Sequence, residues 1–210
     1  MIYVILRFLA LVFAKILFRL QVKGRNNIPG TGGFILASNH VSFLDPVLIG
    51  VASSRRLSYI TRHDLFSVPV FGWILRRVQA FPLRRDSNDI SSVKEAIRRL
   101  RRAGGLLIFP EGRRSLDGTI QKSKSGIGFL AARSRVPVIP VFISGTQRAL
   151  GRNARFIRPA KVRIYFAEPI YYDSPASKDN YENFTERIIQ EINLLSKKRR
   201  IEYHVRGESA

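Results

Sequence analysis

A histidine and an aspartate lie five positions apart in the stretch SNHVSFLDP, residues 38–46. A carboxylate on one nitrogen of an imidazole fixes its tautomer and leaves the other nitrogen free to accept a proton. His40 and Asp45 are therefore a candidate general base with its orienting carboxylate. Taken alone, the stretch favours a structural interpretation, in which Asp45 is the N-cap of a helix and Pro46 its first residue.

Two further loops carry candidate ligands for phosphate. Arginine offers planar, bidentate donors that suit phosphate oxygens. The residues are Arg84 and Arg85 after the apolar run 78–83, and Glu111, Arg113 and Arg114 after the run 106–109. If the loops converge, His40 could deprotonate a hydroxyl while Arg85 and Arg114 hold a phosphate. The alternative is that Glu111 is only the ion-pair partner of a buried arginine.

The elements that would position these loops alternate between strands and helices. Short apolar runs predict strands at 33–38, 57–61, 78–83, 106–109, 136–143 and 161–167, and periodic segments predict helices at 46–52, 87–103, 123–134 and 179–200. This alternation predicts an α/β fold: a mixed, largely parallel sheet flanked by helices, with the site in loops at strand ends. The run 136–143 resembles a buried strand with prolines at its start, or an edge strand. A G-x-G-x-x-A pattern at 126–131 lies inside a predicted helix, which argues against a dinucleotide loop.

Residues 1–20 predict an amphipathic helix that lies in a membrane interface. Arg7, Lys15 and Arg19 fall within about 120° of each other on a helical wheel, opposite aliphatic and aromatic residues. The apolar run Phe8 to Ala14 is shorter than the roughly 18–20 residues that a spanning helix needs. A helix packed on the core and a spanning helix with snorkelling cations remain open. The turn-rich residues that follow predict a boundary between an N-terminal segment, 1–23, and a domain, 24–210.

The apolar run 65–75 contains the only tryptophan and precedes Arg76 and Arg77. It predicts either a second membrane-contacting patch, or part of an acyl-chain channel, or a core helix.

Composition narrows the classes of function. The chain has 36 Lys and Arg against 15 Asp and Glu, a formal charge of +21 that attracts nucleic acid or an anionic bilayer. The absence of cysteine excludes disulfides, thiolate catalysis and zinc–thiolate sites. The three histidines lie far apart, so no metal site is expected. Neither a G-x-S-x-G elbow nor a P-loop is present.

Four blocks, in order, resemble those of the glycerolipid acyltransferases, which include the 1-acylglycerol-3-phosphate (lysophosphatidic acid) acyltransferases. The blocks are the H-x-x-x-x-D motif at 40–45, AFPLRR at 80–85, FPEGRRS at 109–115 and VPVIPV at 136–141. Three residues depart from the family pattern: Gln79 stands where glycine is usual, Arg84 where aspartate is frequent and Arg113 where threonine is common.

The resemblance implies transfer of an acyl chain from acyl-CoA or acyl carrier protein to the sn-2 hydroxyl of lysophosphatidate, with no other cofactor. His40 would be the base and Asp45 its orienting group, and Arg85, Glu111, Gly112, Arg114 and Ser115 would bind the acceptor. The implied partners are an anionic membrane surface, a lysophospholipid and the thioester donor, without nucleic acid, and the implied location is the cytoplasmic face of a membrane. Two alternatives stay open: a related enzyme with another acceptor (glycerol-3-phosphate, another lysophospholipid or a lyso-aminolipid), and a non-catalytic basic module that binds anionic membranes or nucleic acid.

Overall fold

A computed structural model describes residues 2–83, 90–112, 114–115, 120, 126–151 and 154–205. Within these ranges the α-helices are α1 (Ile2–Phe18), α2 (Asp45–Ala52), α3 (Pro69–Arg77), α4 (Ile90–Arg101), α5 (Ile127–Ser134), α6 (Thr146–Ala149) and α7 (Lys178–Val205). The strands are β1 (Gln21–Lys23), β2 (Phe34–Ser38), β3 (Leu57–Arg62), β4 (Ala80–Leu83), β5 (Gly105–Ile108), β6 (Val138–Ser144) and β7 (Arg163–Phe166). Short 3₁₀ helices lie at Arg25–Asn27 and His63–Ser67.

The strands form one sheet in the order β1-β7-β6-β2-β5-β3-β4. Only β6 and β7 run antiparallel; every other neighbouring pair is parallel. The predicted mixed, largely parallel sheet flanked by helices is therefore confirmed. The carboxyl ends of β2, β3, β4, β5 and β6 consequently meet at one edge of the sheet, where ligands bind in open α/β folds.

Both faces of the sheet are covered, which is why its central strands are apolar throughout. Side chains alternate along β2: Phe34 and Leu36 pack with α1 and α2, whereas Ile35 and Ala37 pack with α4, α5 and α7. All four are fully buried. At roughly 25 cal/mol per Å² of apolar surface, these two layers supply most of the stabilisation of the fold.

Helix α1 has two apolar sides. Ala14 and Phe18 are buried in the layer that contains α2. The opposite side exposes Ile5, Phe8, Leu9, Val12, Phe13 and Ile16, a set that we call the α1 stripe. Arg7 lies on the buried side and donates to the carbonyl of Ser53. The expectation that the cations occupy a face opposite the apolar residues is thus too simple, because the helix also packs on the core.

No helix in the described part of the chain is both long and apolar enough to cross a bilayer.

One sequence interpretation differs from the structure. Residues 21–23, which the sequence places in the N-terminal segment, form edge strand β1 beside β7.

The structure also decides between alternatives that the sequence leaves open. The run 65–75 is not a core helix: it divides between a 3₁₀ helix and α3, in which Gly72 is the only buried residue. The run 136–143 contains the buried strand rather than an edge strand, since β6 lies between β7 and β2 with every residue buried.

Candidate active site

The loops after β2 and β5 meet at the carboxyl edge of the sheet. Ala37 and Ile108 are paired in parallel register near the ends of these strands, so the residues that follow them emerge side by side. The backbone N–H of His40 donates to Oε1 of Glu111 at 3.2 Å, and the N–H of Ser115 donates to the carbonyl of His40 at 2.7 Å. The first and third sequence blocks therefore form one cluster around His40.

Asp45 folds back onto His40 as the sequence spacing predicts. Nδ1 of His40 lies 2.8 Å from Oδ2 of Asp45. The same oxygen accepts the N–H groups of Val41 and Ser42, each at 2.7 Å, and the Asp45 side chain has no exposed surface. Hydrogen bonds to an ionised carboxylate are strong, so this one oxygen holds the whole loop closed around the histidine.

The expectation that Asp45 is the N-cap of α2 is wrong. The helix begins at Asp45 itself, and its N-cap residue is Leu44, which makes no side-chain capping bond. The carboxylate turns towards the amides of the preceding loop, with Pro46 still in the first turn. Asp45 therefore serves the loop at residues 39–44, which we call the His40 loop, rather than the helix.

The second nitrogen of His40 remains available for chemistry. With Nδ1 donating to the carboxylate, Nε2 carries a lone pair. The imidazole stacks on Phe109, with ring centroids 4.0 Å apart and planes 19° from parallel, and 16% of its side chain is exposed. The ring is thus fixed on two sides and open on a third, a geometry that suits a general base.

Asn39 is a site residue that the sequence analysis missed. Strand β2 stops pairing with β6 at Ser38 and Val141. Beyond that point the Asn39 amide donates to the carbonyl of Ile143 at 2.9 Å and accepts its N–H at 2.8 Å. The Asn39 side chain thus takes the place of a backbone partner of β6. The N–H and carbonyl groups of His40 instead form hydrogen bonds with Glu111 and Ser115. The available signal was a polar amide between a buried strand and a candidate base.

The third block makes a tight turn beneath His40. The N–H of Gly112 donates to the carbonyl of Phe109 at 3.0 Å, and Gly112 has φ +62°, a left-handed conformation that favours glycine. After the turn the Arg114 guanidinium lies 3.5 Å from the centroid of the Phe43 ring, in the loop between His40 and Asp45. The structure therefore brings Glu111, Gly112, Arg114 and Ser115 next to the candidate base.

The second block is described only as far as Leu83. Arg84, Arg85 and Arg113 lie outside the described residues. Strand β4 pairs in parallel with β3 and ends at the same edge as β2 and β5, so the block leads towards this edge.

Arg99 anchors the start of β4. It donates to the carbonyl of Gln79 at 2.6 Å and to Oγ of Ser58 at 3.0 Å, and its guanidinium covers the ring of Phe81. Hydrogen bonds from Arg98 and Arg99 lower the pKa of the Glu95 carboxyl to about 2. The charged network thus ties α4 to both strands of the β3–β4 pair.

The amino-acid sequence also matches a known family. The model of the acyltransferase family matches residues 19–144, which is more than half of the chain and includes the whole cluster around His40. The chain belongs to the acyltransferase family. The matched range runs from just before β1 to the end of β6 and contains residues 40–45, 80–85, 109–115 and 136–141.

Several proteins similar to this chain have the same name. A chloroplastic 1-acyl-sn-glycerol-3-phosphate acyltransferase of Brassica napus is 27% identical over 90% of this chain and 56% of its own length. The Bacillus subtilis protein of that name is 26% identical over 85% of this chain and 88% of its own. The chain thus spans about half of the plant relatives, including one from Arabidopsis thaliana matched over 48% of its length, but most of the Bacillus protein.

A solved structure has the same fold. The crystal structure of the 1-acyl-sn-glycerophosphate acyltransferase of Thermotoga maritima superposes with a TM-score of 0.71 and 28% identity. The match covers 84% of this chain and 72% of that one.

Proposed function

We propose that this acyltransferase-family chain transfers a fatty acyl group from a thioester to the sn-2 hydroxyl of 1-acyl-glycerol-3-phosphate, which gives phosphatidate for phospholipid synthesis. The observation that carries the proposal is the 2.8 Å contact between His40 and Asp45 beside the FPEGRRS turn. Relatives matched over most of the chain carry the name of this activity.

In the proposed reaction one proton passes from the acceptor hydroxyl to His40 and then to the departing thiolate. Nε2 of His40 removes the proton of the acceptor hydroxyl as that oxygen attacks the thioester carbonyl. The buried carboxylate of Asp45 stabilises the imidazolium that forms. The tetrahedral intermediate collapses, the C–S bond breaks, and the imidazolium returns its proton to the departing thiolate. No acyl-enzyme forms, and no cofactor is needed beyond acyl-CoA or acyl carrier protein.

In this proposal the acceptor phosphate binds at the FPEGRRS turn. Arg114 and Arg85 contact the phosphate, because planar guanidinium donors fit its oxygens. Glu111 holds the His40 backbone, and Gly112 and Ser115 shape the turn that faces the acceptor. Nearby guanidinium groups would also favour a dianionic acceptor over a neutral one.

We also propose that the chain works on an anionic membrane surface, at the cytoplasmic face. The α1 stripe and the exposed Val70, Phe71 and Trp73 of α3 offer apolar side chains to the acyl region. The formal charge of +21 would attract anionic head groups. The basic surface also suits an acidic carrier protein as donor.

The test is a reconstituted assay of purified protein. A panel of lysolipids, with glycerol-3-phosphate included, is offered with acyl-CoA and with acyl carrier protein, and the products are identified by mass. We expect phosphatidate from lysophosphatidate and its loss in His40→Ala, which should still fold and bind anionic vesicles. The matched control is His63→Ala, since His63 is exposed in a 3₁₀ helix. Full activity in His40→Ala would refute the mechanism, and a different preferred acceptor would refute the substrate.

A further inference from the structure

A short segment after α6 exposes two large apolar side chains to solvent. Phe156 is 78% exposed and Ile157 44% exposed. They lie between Arg155 and Arg158, which are also exposed. Neither arginine forms an ion pair with any acidic side chain that the structure describes. We call residues 154–158 the Phe156 loop. An apolar tip between two cations matches the profile of a bilayer interface, where acyl chains lie beneath anionic head groups.

The chain that follows the Phe156 loop is hydrogen-bonded to the end of α1. The N–H of Ala160 donates to the carbonyl of Leu17, and the N–H of Val162 donates to that of Phe18. Leu17 follows Ile16, which is the most exposed member of the α1 stripe at 77%. The residues that follow the Phe156 loop therefore contact the end of the helix that carries the α1 stripe, the surface that we propose to contact the membrane.

The chain that precedes the Phe156 loop contacts the His40 loop. The buried hydroxyl of Ser42 donates to the carbonyl of Leu150 at 2.7 Å, and the N–H of Ser42 donates to Asp45. The N–H of Arg158 returns to the carbonyl of Ala149 at 2.8 Å, which closes the segment into a loop. One short stretch of chain thus contacts both α1 and the residues that orient the candidate base.

We propose that the Phe156 loop inserts Phe156 and Ile157 into an anionic bilayer next to α1, so that the protein docks with the His40 loop facing the membrane. This inference deepens the membrane association put forward above and rests on it. A lysolipid acceptor would then reach His40 directly from the bilayer. Arg155 and Arg158 would pair with lipid phosphates at the depth of the head groups.

Quenching by brominated lipids tests insertion directly. Trp73→Phe removes the only tryptophan, and Phe156→Trp or Leu194→Trp is added to that background. Leu194 is a matched control, because it is 44% exposed but lies on α7, in the layer on the opposite face of the sheet from α1. With phosphatidylcholine–phosphatidylglycerol vesicles, we expect quenching and a blue shift for Phe156→Trp but not for Leu194→Trp. An unquenched Phe156→Trp in a protein that sediments with the vesicles would overturn the inference.

Truncation of the tip measures its contribution to binding. The double variant Phe156→Ala, Ile157→Ala should partition about tenfold more weakly into these vesicles, whereas Leu194→Ala should bind as the parent does. Turnover of a soluble short-chain acceptor and donor should not change. Unchanged partitioning of the double variant would contradict insertion of the loop into the membrane. So would a parent protein that forms a dimer in solution and a double variant that does not, because the loop would then contact a second copy of the chain. Because partitioning needs no turnover, a parent that inserts Phe156 but transfers no acyl group would refute only the proposed activity.

Discussion

At the scale of single residues, the His40 loop depends on one carboxylate oxygen. Oδ2 of Asp45 accepts the imidazole N–H and two backbone N–H groups. A carboxamide of the same size can accept some of these bonds, but it carries no negative charge to stabilise an imidazolium.

We therefore expect Asp45→Asn to lower kcat by about 10²–10⁴, the range of general acid–base catalysis, with a smaller change in KM. Steady-state kinetics measure the effect, and circular dichroism checks that the variant is folded. The control is Asp173→Asn, because Asp173 is exposed and should tolerate the change. A kcat within twofold of the parent would show that Asp45 does not act on the base.

Asn39 provides a second prediction at this scale. Asn39→Ala removes both hydrogen bonds to Ile143 and leaves two buried peptide groups unsatisfied. We expect a loss of roughly 2–3 kcal/mol in the free energy of unfolding, measured by urea denaturation. As a positioning residue it should also lower kcat more than it raises KM. Asn26→Ala, at an exposed position in the 3₁₀ helix at 25–27, is the control. A purely structural role would leave kcat of the folded fraction unchanged.

At the scale of elements, the turn between α3 and β4 adopts a backbone conformation that favours glycine. Gln79 has φ +63° and occupies the place where the resemblance leads one to expect glycine. Left-handed backbone costs a non-glycine residue about 1 kcal/mol, and the bond from Arg99 holds the turn against this cost.

Gln79→Gly should therefore stabilise the protein by up to about 0.5 kcal/mol, because relief of about 1 kcal/mol of strain exceeds the roughly 0.5–1 kcal/mol of added entropy of the unfolded chain. Gln79→Val should destabilise it, since β-branched side chains tolerate this conformation least. Thermal unfolding of both variants tests the sign. The idea fails if both shift the melting temperature in the same direction.

The contact between α5 and α7 also depends on a single glycine. The N–H of Gly128 donates to Oγ1 of Thr185. A Cβ at position 128 would lie 2.2 Å from the carbonyl oxygen of Tyr181. Gly128 therefore permits close packing of α5 against α7. This packing accounts for the glycine at position 128, and no bound nucleotide is needed to explain it. The expectation that the pattern at 126–131 lies in a helix rather than in a dinucleotide loop agrees with the structure, because residues 127–131 lie in α5 and Gly126 is its N-cap residue.

Gly128→Ala should cost roughly 1–3 kcal/mol of stability, the usual penalty of overpacking. Gly126→Ala is the control, because among the described residues a Cβ there would meet only the Cβ of Phe129, at 3.8 Å. Urea denaturation of the two variants gives the comparison, and equal stabilities would contradict the role of close packing.

At the scale of the whole molecule, charge and exposed apolar surface act together. The formal charge of +21 acts over a Debye length of about 10 Å at 0.1 M salt. Partitioning into phosphatidylglycerol-containing vesicles should therefore fall about tenfold or more between roughly 0.05 and 0.5 M salt. Binding to pure phosphatidylcholine should be weaker and nearly independent of salt. Sedimentation with sucrose-loaded vesicles measures both, and equal binding to the two lipids would refute an electrostatic contribution.

Some features of this protein follow from local sequence alone. The apolar runs that became β2, β3 and β5 and the stripe Phe184, Ile188 and Ile192 of α7 carry their own periodicity, because burial on a strand or helix repeats every two or about 3.6 residues. The spacing of His40 and Asp45 likewise predicted their contact, because a turn between residues five positions apart can bring the two side chains together. The mixed, largely parallel α/β fold followed from the alternation of these segments.

Other features were decided only by tertiary structure. Strand β1 consists of Gln21, Val22 and Lys23, which have no apolar pattern and pair only because β7 offers a free edge. Asp45 faces the loop rather than its helix because the Val41 and Ser42 amides compete for its carboxylate. The Asn39 side chain takes the place of a backbone partner because the pairing of β2 with β6 ends at Ser38 and Val141, two residues before Ile143 on β6. Each outcome depends on a partner distant in sequence or on a choice between donors, and local patterns do not encode such choices.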